Sequence, residues 1–306
     1  MNAESSHESY AGSCVKCSFV LPQIREAASM YFEQGHVTCT ECHTQNDLWD
    51  VVLGRMLSQP PLPMHLVVLG ATRTLFTHVI EAGKYHEVQL TDVGIPADAT
   101  VLQVGYSPQG GQGGVVFPIE WHGNVPQRRI IGNVLRLIGQ PAVLGDGTVG
   151  SICPVGIWVI WIHREEEDGW PYILSAFEAF VDRQYDRMIV PAQSAVEITL
   201  MPVARALLES QASQNLVRQF TTDRLGYGDV LNIFLPFVCA QSGISKLPEK
   251  IIRSLNRLRG KRNKLVHRGT VAANVSTLDA AEGLCAAVFG VEYVRYARPK
   301  LIAWLR

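Results

Sequence analysis

The texture of apolar and polar residues changes twice along the chain. Residues up to about 50 carry too few apolar side chains for a core of their own. From Met64 to about His163 the apolar residues come in short runs, among them "HLVVLG", "TRTLFTHVI", "TVLQVGY" and "GIWVIWI". Glycine, proline, asparagine and aspartate punctuate these runs, as in "GIPADA" and "SPQGGQGG". Runs of this kind read as strands joined by turns, so residues 60–165 are expected to form an antiparallel, sandwich-like β-domain. "RRIIGNVLRLIG" fits a strand pair or a short helix. "HREEEDGW" then reads as a solvated linker.

Beyond Trp170 the apolar period lengthens from two to nearer 3.6, which predicts helices. Ile173, Phe177, Phe180, Val181 and Met188 mark the first. Pro191 suits the first turn of a second, which carries Val196, Leu200, Val203 and Leu207, and Pro202 should bend or break it. A third apolar segment covers about 229–240, with Pro236 as a kink. A fourth runs from about Leu247 to His267. A fifth starts after Ser276, a suitable N-cap, and ends before Pro299. The expected architecture is multidomain α+β: a zinc ribbon over 1–50, the β-domain over 60–165 and an all-α bundle over 170–306.

In the fourth helix the apolar positions Ile244, Leu247, Ile251, Leu255 and Leu258 are spaced by three or four. The next step lands on Arg262 and the one after on Leu265. Arg262 therefore takes a place in the apolar stripe, where a guanidinium needs an anion or acceptors. An ion pair with an acid such as Glu197 and a side chain reaching out of a frayed helix end are the alternatives. His267 follows five residues later, about 140° round an ideal helix from Arg262. The two converge if the helix stops at "HRG", or if two copies of the helix face each other. Gly260 would permit a close approach of that kind. A histidine at a helix C-terminus also suits the helix dipole.

Charge sharpens this segment. The whole chain has a formal charge of −1, yet between Lys246 and Arg268 nine basic residues meet one acid, Glu249. Such imbalance on one helix points to a phosphate-rich partner. No apolar run is long enough for a membrane span, and the polar start "MNAESSHESYAGS" lacks the pattern of a secretory signal, so a cytoplasmic protein is expected.

Seven cysteines without such a signal argue against a disulfide framework. Cys153, Cys239 and Cys285 read as core residues. Cys14, Cys17, Cys39 and Cys42 follow the spacing C-x2-C-x21-C-x2-C, that of a four-thiolate structural Zn²⁺ site whose metal supplies folding energy. His36 and His43 are bystanders to it. The segment is not basic, so a structural or protein-contact role is expected of it. His65, His78, His86, His122 and His163 have no metal-ligand spacing. "GGQGG" reads as a hairpin loop, and "GDGTVG" lacks the lysine of a phosphate-binding loop.

The stretch "LNRLRGKRNKLVHRG", with Arg262, Asn263 and His267 near the end of the penultimate helix, resembles the signature helix of HEPN domains. "PAQSAVEITLMPVARALL" resembles the second helix of that family. The resemblance covers about residues 170–306; for the β-domain there is none. It implies a homodimer whose signature helices share a basic cleft, and, in many family members, metal-independent cleavage of RNA.

On that basis the expected activity is endoribonuclease, with attack of the 2′-OH on its own phosphate. His267 would act as acid or base, Arg262 would stabilise phosphoryl charge, and Asn263 would orient either. Arg257, Arg259, Lys261, Lys264 and Arg268 would hold the RNA backbone, and catalysis would need no cofactor. A gated toxin or anti-phage effector is one such role. The alternatives are a non-catalytic HEPN module that binds RNA, nucleotide or a protein, with ribbon and β-domain as sensors or adaptors, and a dimerising regulatory protein. The β-domain could bind a trigger ligand or a partner.

Overall fold

The computed structural model describes residues 6–8, 10–58, 65–108, 116–120, 133–142, 150–163, 169–223, 225–268 and 275–305; residues 7, 8, 117–120, 222, 223, 267 and 268 are described by backbone alone. "GGQGG", most of "GDGTVG" and of "HREEEDGW", and His122 lie outside the described residues. The chain is mixed α and β and forms two compact units, Met1–Ser9 with Gly70–Glu165 and Tyr10–Leu69 with Glu166–Arg306. The strands are β1 (Ser6–Glu8), β2 (Val37–Thr38), β3 (Gln45–Asn46), β4 (Thr72–Glu81), β5 (Tyr85–Gln89), β6 (Thr100–Pro108), β7 (Val116–Glu120), β8 (Val134–Pro141) and β9 (Ile152–Ile162). The helices are α1 (Ile24–Gln34), α2 (Leu48–Ser58), α3 (His65–Val68), α4 (Trp170–Val181), α5 (Tyr185–Glu209), α6 (Gln214–Asp223), α7 (Tyr227–Asp229), α8 (Leu235–Ser242), α9 (Glu249–Arg268) and α10 (Thr277–Trp304).

In the first unit, two antiparallel sheets of order β1-β4-β9-β6 and β5-β8-β7 share one apolar cluster. β4 alternates, burying Thr74, Phe76 and Ile80 while Leu75, Thr77 and Val79 stay exposed, as a strand with one covered face should. β9, paired on both edges, is apolar almost throughout. The segment "NVLRLIG" of the ambiguous run is strand. The rings of His78 and His86 meet edge to face at 5.5 Å, and burial, with the nearby His86 charge, lowers the His78 pKa.

The second unit is organised around α10. Its residues from Ala280 to Ala297 are buried with little interruption, so it shows no polar face, as expected of a helix covered on all sides. Helices α4, α5 and α9 pack on it, and so do α1 and α2. Gly290 allows the approach of α5, since a Cβ there would lie 3.0 Å from both methyls of Val196.

The sequence reading separates residues 1–50 from the helical third; the structure gives residues 10–50 and that third one core, while Ser6–Glu8 joins the sheet of the first unit. Between the cysteine pairs, α1 buries Ile24, Ala27, Ala28, Tyr31 and Phe32. Phe32 stacks edge-on against Tyr293 at 5.1 Å, and Tyr31 and Trp49 meet Phe289 at 5.8 and 5.5 Å. A segment too apolar-poor to fold alone borrows the apolar face of α10.

The helix boundaries also differ from the expectation. α5 begins at Tyr185 and runs through both Pro191 and Pro202. Each proline leaves a carbonyl four residues earlier without its donor, but those residues, Arg187 and Ile198, are exposed, so water can substitute. Pro299 is likewise exposed and α10 continues past it. Ser276 caps α10 as expected, its Oγ accepting from the Asp279 N–H at 3.1 Å. The third apolar segment is broken into α7, a π-helical turn over Val230–Phe234, and α8. α6 was not legible beforehand, because Leu216, Val217 and Phe220 are its only strongly apolar residues.

Candidate functional site

The four cysteines of the N-terminal segment sit on two matching turns. In the first, the Cys14 N–H donates to the Phe19 carbonyl at 2.8 Å and the Ser18 N–H to the Cys14 carbonyl at 3.0 Å. In the second, the Cys39 N–H donates to Thr44 at 2.9 Å and the His43 N–H to Cys39 at 3.0 Å. The residue after each second cysteine, Ser18 or His43, adopts a left-handed conformation, with φ of 60° and 56°. This is the local reason for the C-x2-C spacing: each turn curls two thiols to the same side. The sulfurs of all four lie within 4.8 Å of one another. Cys14 to Cys42 and Cys17 to Cys39 are both 3.6 Å apart. Tetrahedral thiolates about 2.3 Å from one ion would be about 3.8 Å apart, so the donor set fits one tetrahedral metal.

The electrostatics of the cluster ask for a cation. The Cys17 backbone N–H holds the Cys14 thiol down at about 6. The Thr44 hydroxyl and N–H lower Cys42. The Phe19 N–H favours the Cys17 thiolate, but the neighbouring sulfurs, led by that of Cys42, and burial outweigh it and push Cys17 up to about 12. Four thiolates this close cannot all ionise without a positive charge among them. Among the described residues neither His36 nor His43 joins the cluster; His36 Nδ1 lies 3.0 Å from the Gln34 carbonyl.

The cluster is tied to the helices through Asn46, which is 1% exposed. Its Oδ1 accepts from the Val15 N–H between the first two cysteines at 2.9 Å, and its amide donates to the Thr44 carbonyl at 2.8 Å. The next residue, Asp47, pairs with Lys250 of α9 and accepts from the Tyr31 hydroxyl at 3.4 Å.

On α9 the apolar stripe holds for Ile251, Leu255 and Leu258, which are buried; the helix starts only at Glu249, so Leu247, buried, and Ile244, half-buried, precede it instead of opening the stripe. Arg262 continues it, half-buried where the stripe runs out toward solvent, and its Nη1 donates to Asn263 Oδ1 at 3.4 Å. The helix is described through Arg268, within the "HRG" where a stop is expected, and Gly269 lies outside the described residues. Positions 262 and 267 therefore stay on one regular helix, and the side chains of His267 and Arg268 lie outside what is described. Glu197 is not found on Arg262. It accepts from Gln193 Nε2 at 3.4 Å instead.

The charge run is less bare than its sequence. Arg257 pairs with Glu282 at 2.6 Å and donates to Ser254 at 3.1 Å. Lys261 pairs with Asp279 at 3.2 Å, and Arg253 reaches Glu249 at 4.0 Å. Carboxylates from α2 and α10 thus offset much of the local excess, which no count along α9 alone could register. Lys264 is exposed. Arg259 lies against the backbone of Gly228, where any Cβ would fall 1.2 Å from its Nη1. Asn256 and Asn232 exchange two amide hydrogen bonds of 2.7 and 3.1 Å beside it.

Under this face the structure brings together polar groups that no sequence signal marks. The Tyr227 hydroxyl and Gln193 Oε1 are buried with no hydrogen-bond partner among the described residues. Burial raises the Tyr227 pKa and the charge of Glu197 raises it further, while Arg259 acts the other way. Among the described residues no helix is long and apolar enough to cross a membrane.

Comparison with known proteins adds no relative: no family model matches the chain, and neither does any curated protein or solved structure.

Proposed function

We propose that the chain is a HEPN-type endoribonuclease whose active site is completed by two copies of α9. The observation that supports it best is the end of that helix, where Arg262 emerges half-buried with its guanidinium on Asn263 and residue 267 follows on the same helix. On a continuous helix positions 262 and 267 are about 140° apart, so one chain does not aim both at one phosphate. A second α9 across a dimer axis does. Gly260 is exposed and a Cβ there would meet nothing within 4 Å, which leaves room for a facing helix.

In this reading a histidine of one copy takes the proton of the 2′-OH as the oxygen attacks the adjacent phosphorus. The bond to the 5′-oxygen breaks, a 2′,3′-cyclic phosphate forms, and the partner's His267 protonates the leaving oxygen. Arg262 offers paired N–H donors to the charge developing on the phosphoryl oxygens. Arg257, Arg259, Lys261, Lys264 and Arg268 hold the strand. The ion in the cysteine cluster is proposed to be structural Zn²⁺, remote from proton transfer, and a cytoplasmic site of action is proposed with it.

The test is cleavage of end-labelled RNA by purified protein. His267→Ala should abolish it, and brief EDTA treatment that leaves the fold intact should spare it. Wild-type protein that leaves RNA whole at every salt concentration sinks the nuclease reading. The in-chain pairing of Arg257 and Lys261 favours a second reading, a non-catalytic module that binds RNA, nucleotide or a protein. Salt-dependent RNA binding without cleavage would select it.

A further inference from the structure

In the first unit two histidines face the apolar core. Thr74, Phe76 and Ile80 are the buried positions of β4, and His78 falls in the same alternation. On β5, His86 precedes the buried Val88 by two positions and so shares its face. Both histidines are half-buried. β4 belongs to one sheet and β5 to the other, so contact between these side chains ties the two sheets together at their common corner. The rings meet edge to face with centroids 5.5 Å apart. His86 also closes the corner through the backbone, its Nε2 accepting from the Glu81 N–H at 3.1 Å. Nε2 accepts only while it carries no proton, so the proton of the neutral ring sits on Nδ1.

Protonation ends this arrangement in two ways. It turns Nε2 into a donor facing the donor of Glu81. It also sets two cations side by side at the rim of an apolar core. Among the described side chains little stands ready to offset them. The Glu81 carboxylate is committed to Lys84. Tyr85, Glu87 and Arg136 bond one another on the exposed face of the second sheet. On β9, Val155 lies opposite His78, and the Cys153 thiol two positions away donates to the Pro154 carbonyl at 3.3 Å. β6 places Pro108 in the row of Val155 and Tyr106 in that of Ile157. On β8 the buried Leu137 lies opposite His86. On β7, Glu120, described by backbone alone, stands opposite Leu137. Burial, and then the His86 charge, hold the His78 pKa below its ordinary value of 6.5. A folded value below the unfolded one costs stability as the pH falls below the unfolded value, and the loss levels off once the folded form is protonated as well.

We propose that His78 and His86 form an acid-sensitive latch on the corner between β4 and β5, closed while both rings are neutral and released when they take up protons. Histidine is the side chain whose ordinary charge change lies between about pH 5 and pH 8, so the latch works in a physiological window. It belongs to a unit to which the nuclease reading gives no chemical step, and it stands or falls without that reading.

The test is amide hydrogen exchange of the metal-loaded full chain at about pH 7.5 and about pH 5.5, on either side of the histidine range, with each rate corrected for the intrinsic rate at that pH. Wild-type protection over residues 76–89 should fall about tenfold from the higher pH to the lower, the equivalent of one pKa unit, while residues 284–297 of α10 hold theirs. His86→Gln keeps an acceptor for the Glu81 N–H but does not titrate, so its protection should be the same at both. His86→Phe has no acceptor and should already show the lower protection at the higher pH. His78→Gln should lose less than wild type. Wild-type protection that is equal at the two pH values overturns the proposal, and this result needs no variant. So does a parallel loss in α10, which is general acid unfolding, and so does a loss in His86→Gln as large as in wild type.

Discussion

Cys14, Cys17, Cys39 and Cys42 converge through two turns whose own backbone hydrogen bonds aim each pair of sulfurs. Arg257, Arg259 and Lys261 of α9 meet Glu282, Gly228 and Asp279, which stand 25, 31 and 18 residues away in sequence. The first kind of site is written locally and needs only a metal to close it. The second is a consequence of packing, so its free charge can be known only after the helices are in place. The difference predicts where the protein is fragile: losing the metal should disturb a whole segment, whereas losing one basic side chain should disturb one contact.

The largest effect is expected at the cysteines. Cys39→Ser should release the ion, measured by metal analysis, and cost on the order of 4 kcal/mol in chemical denaturation, because loss of a structural metal is among the few large single-site effects. A Cys39→Ser protein as stable as wild type would mean that the cluster contributes no folding energy. Next comes Phe32→Ala, which removes an aromatic ring from the surface shared by α1 and α10 and should cost about 3 kcal/mol. An effect near zero would show the cysteine segment to be an appendage, contrary to the shared core.

Effects on α9 should be smaller. Gly228→Ala forces the Arg259 guanidinium aside, and since that group is the end of a flexible side chain the fold should survive. RNA affinity should fall a few-fold, about 1 kcal/mol, in filter binding; unchanged affinity would remove Arg259 from the RNA-contact set. Smallest of all is the acid response of Asp279. Ser276 and Lys261 hold its carboxyl below the ordinary range, although burial acts in the opposite direction. A folded pKa below the unfolded one stabilises above about pH 4 and is lost as the pH falls through the folded value. The pair is partly solvated, so Asp279→Asn should flatten the acid limb of the stability curve by less than about 1 kcal/mol.

Much of this was readable in advance where the determining physics is short-range. The cysteine spacing foretold the thiolate cluster, Ser276 foretold the cap of α10, and the spacing of Ile251, Leu255 and Leu258 foretold the buried stripe of α9. The start of α5 was misplaced because Pro191 normally marks a first turn, and only solvent at Arg187 lets the helix carry it inside. α6 went unseen because its apolar face is three residues wide. On α9 the register correctly carried the stripe to Arg262, but it could not tell a seam from the place where a seam opens to water.

By itself, then, the sequence determined the turn chemistry of the cysteine pairs, the strand-rich and helix-rich halves, and the amphipathic face of α9, all set by neighbours within a few residues. The tertiary structure decided that the cysteine segment shares the core of α10, that Asp47, Asp279 and Glu282 offset the basic run, and that Trp49 stands beside Lys250 and Arg253. Those outcomes depend on which apolar faces bury each other. Burial is non-directional, so spacing along one helix cannot say which distant charge or ring the packing will bring to its side.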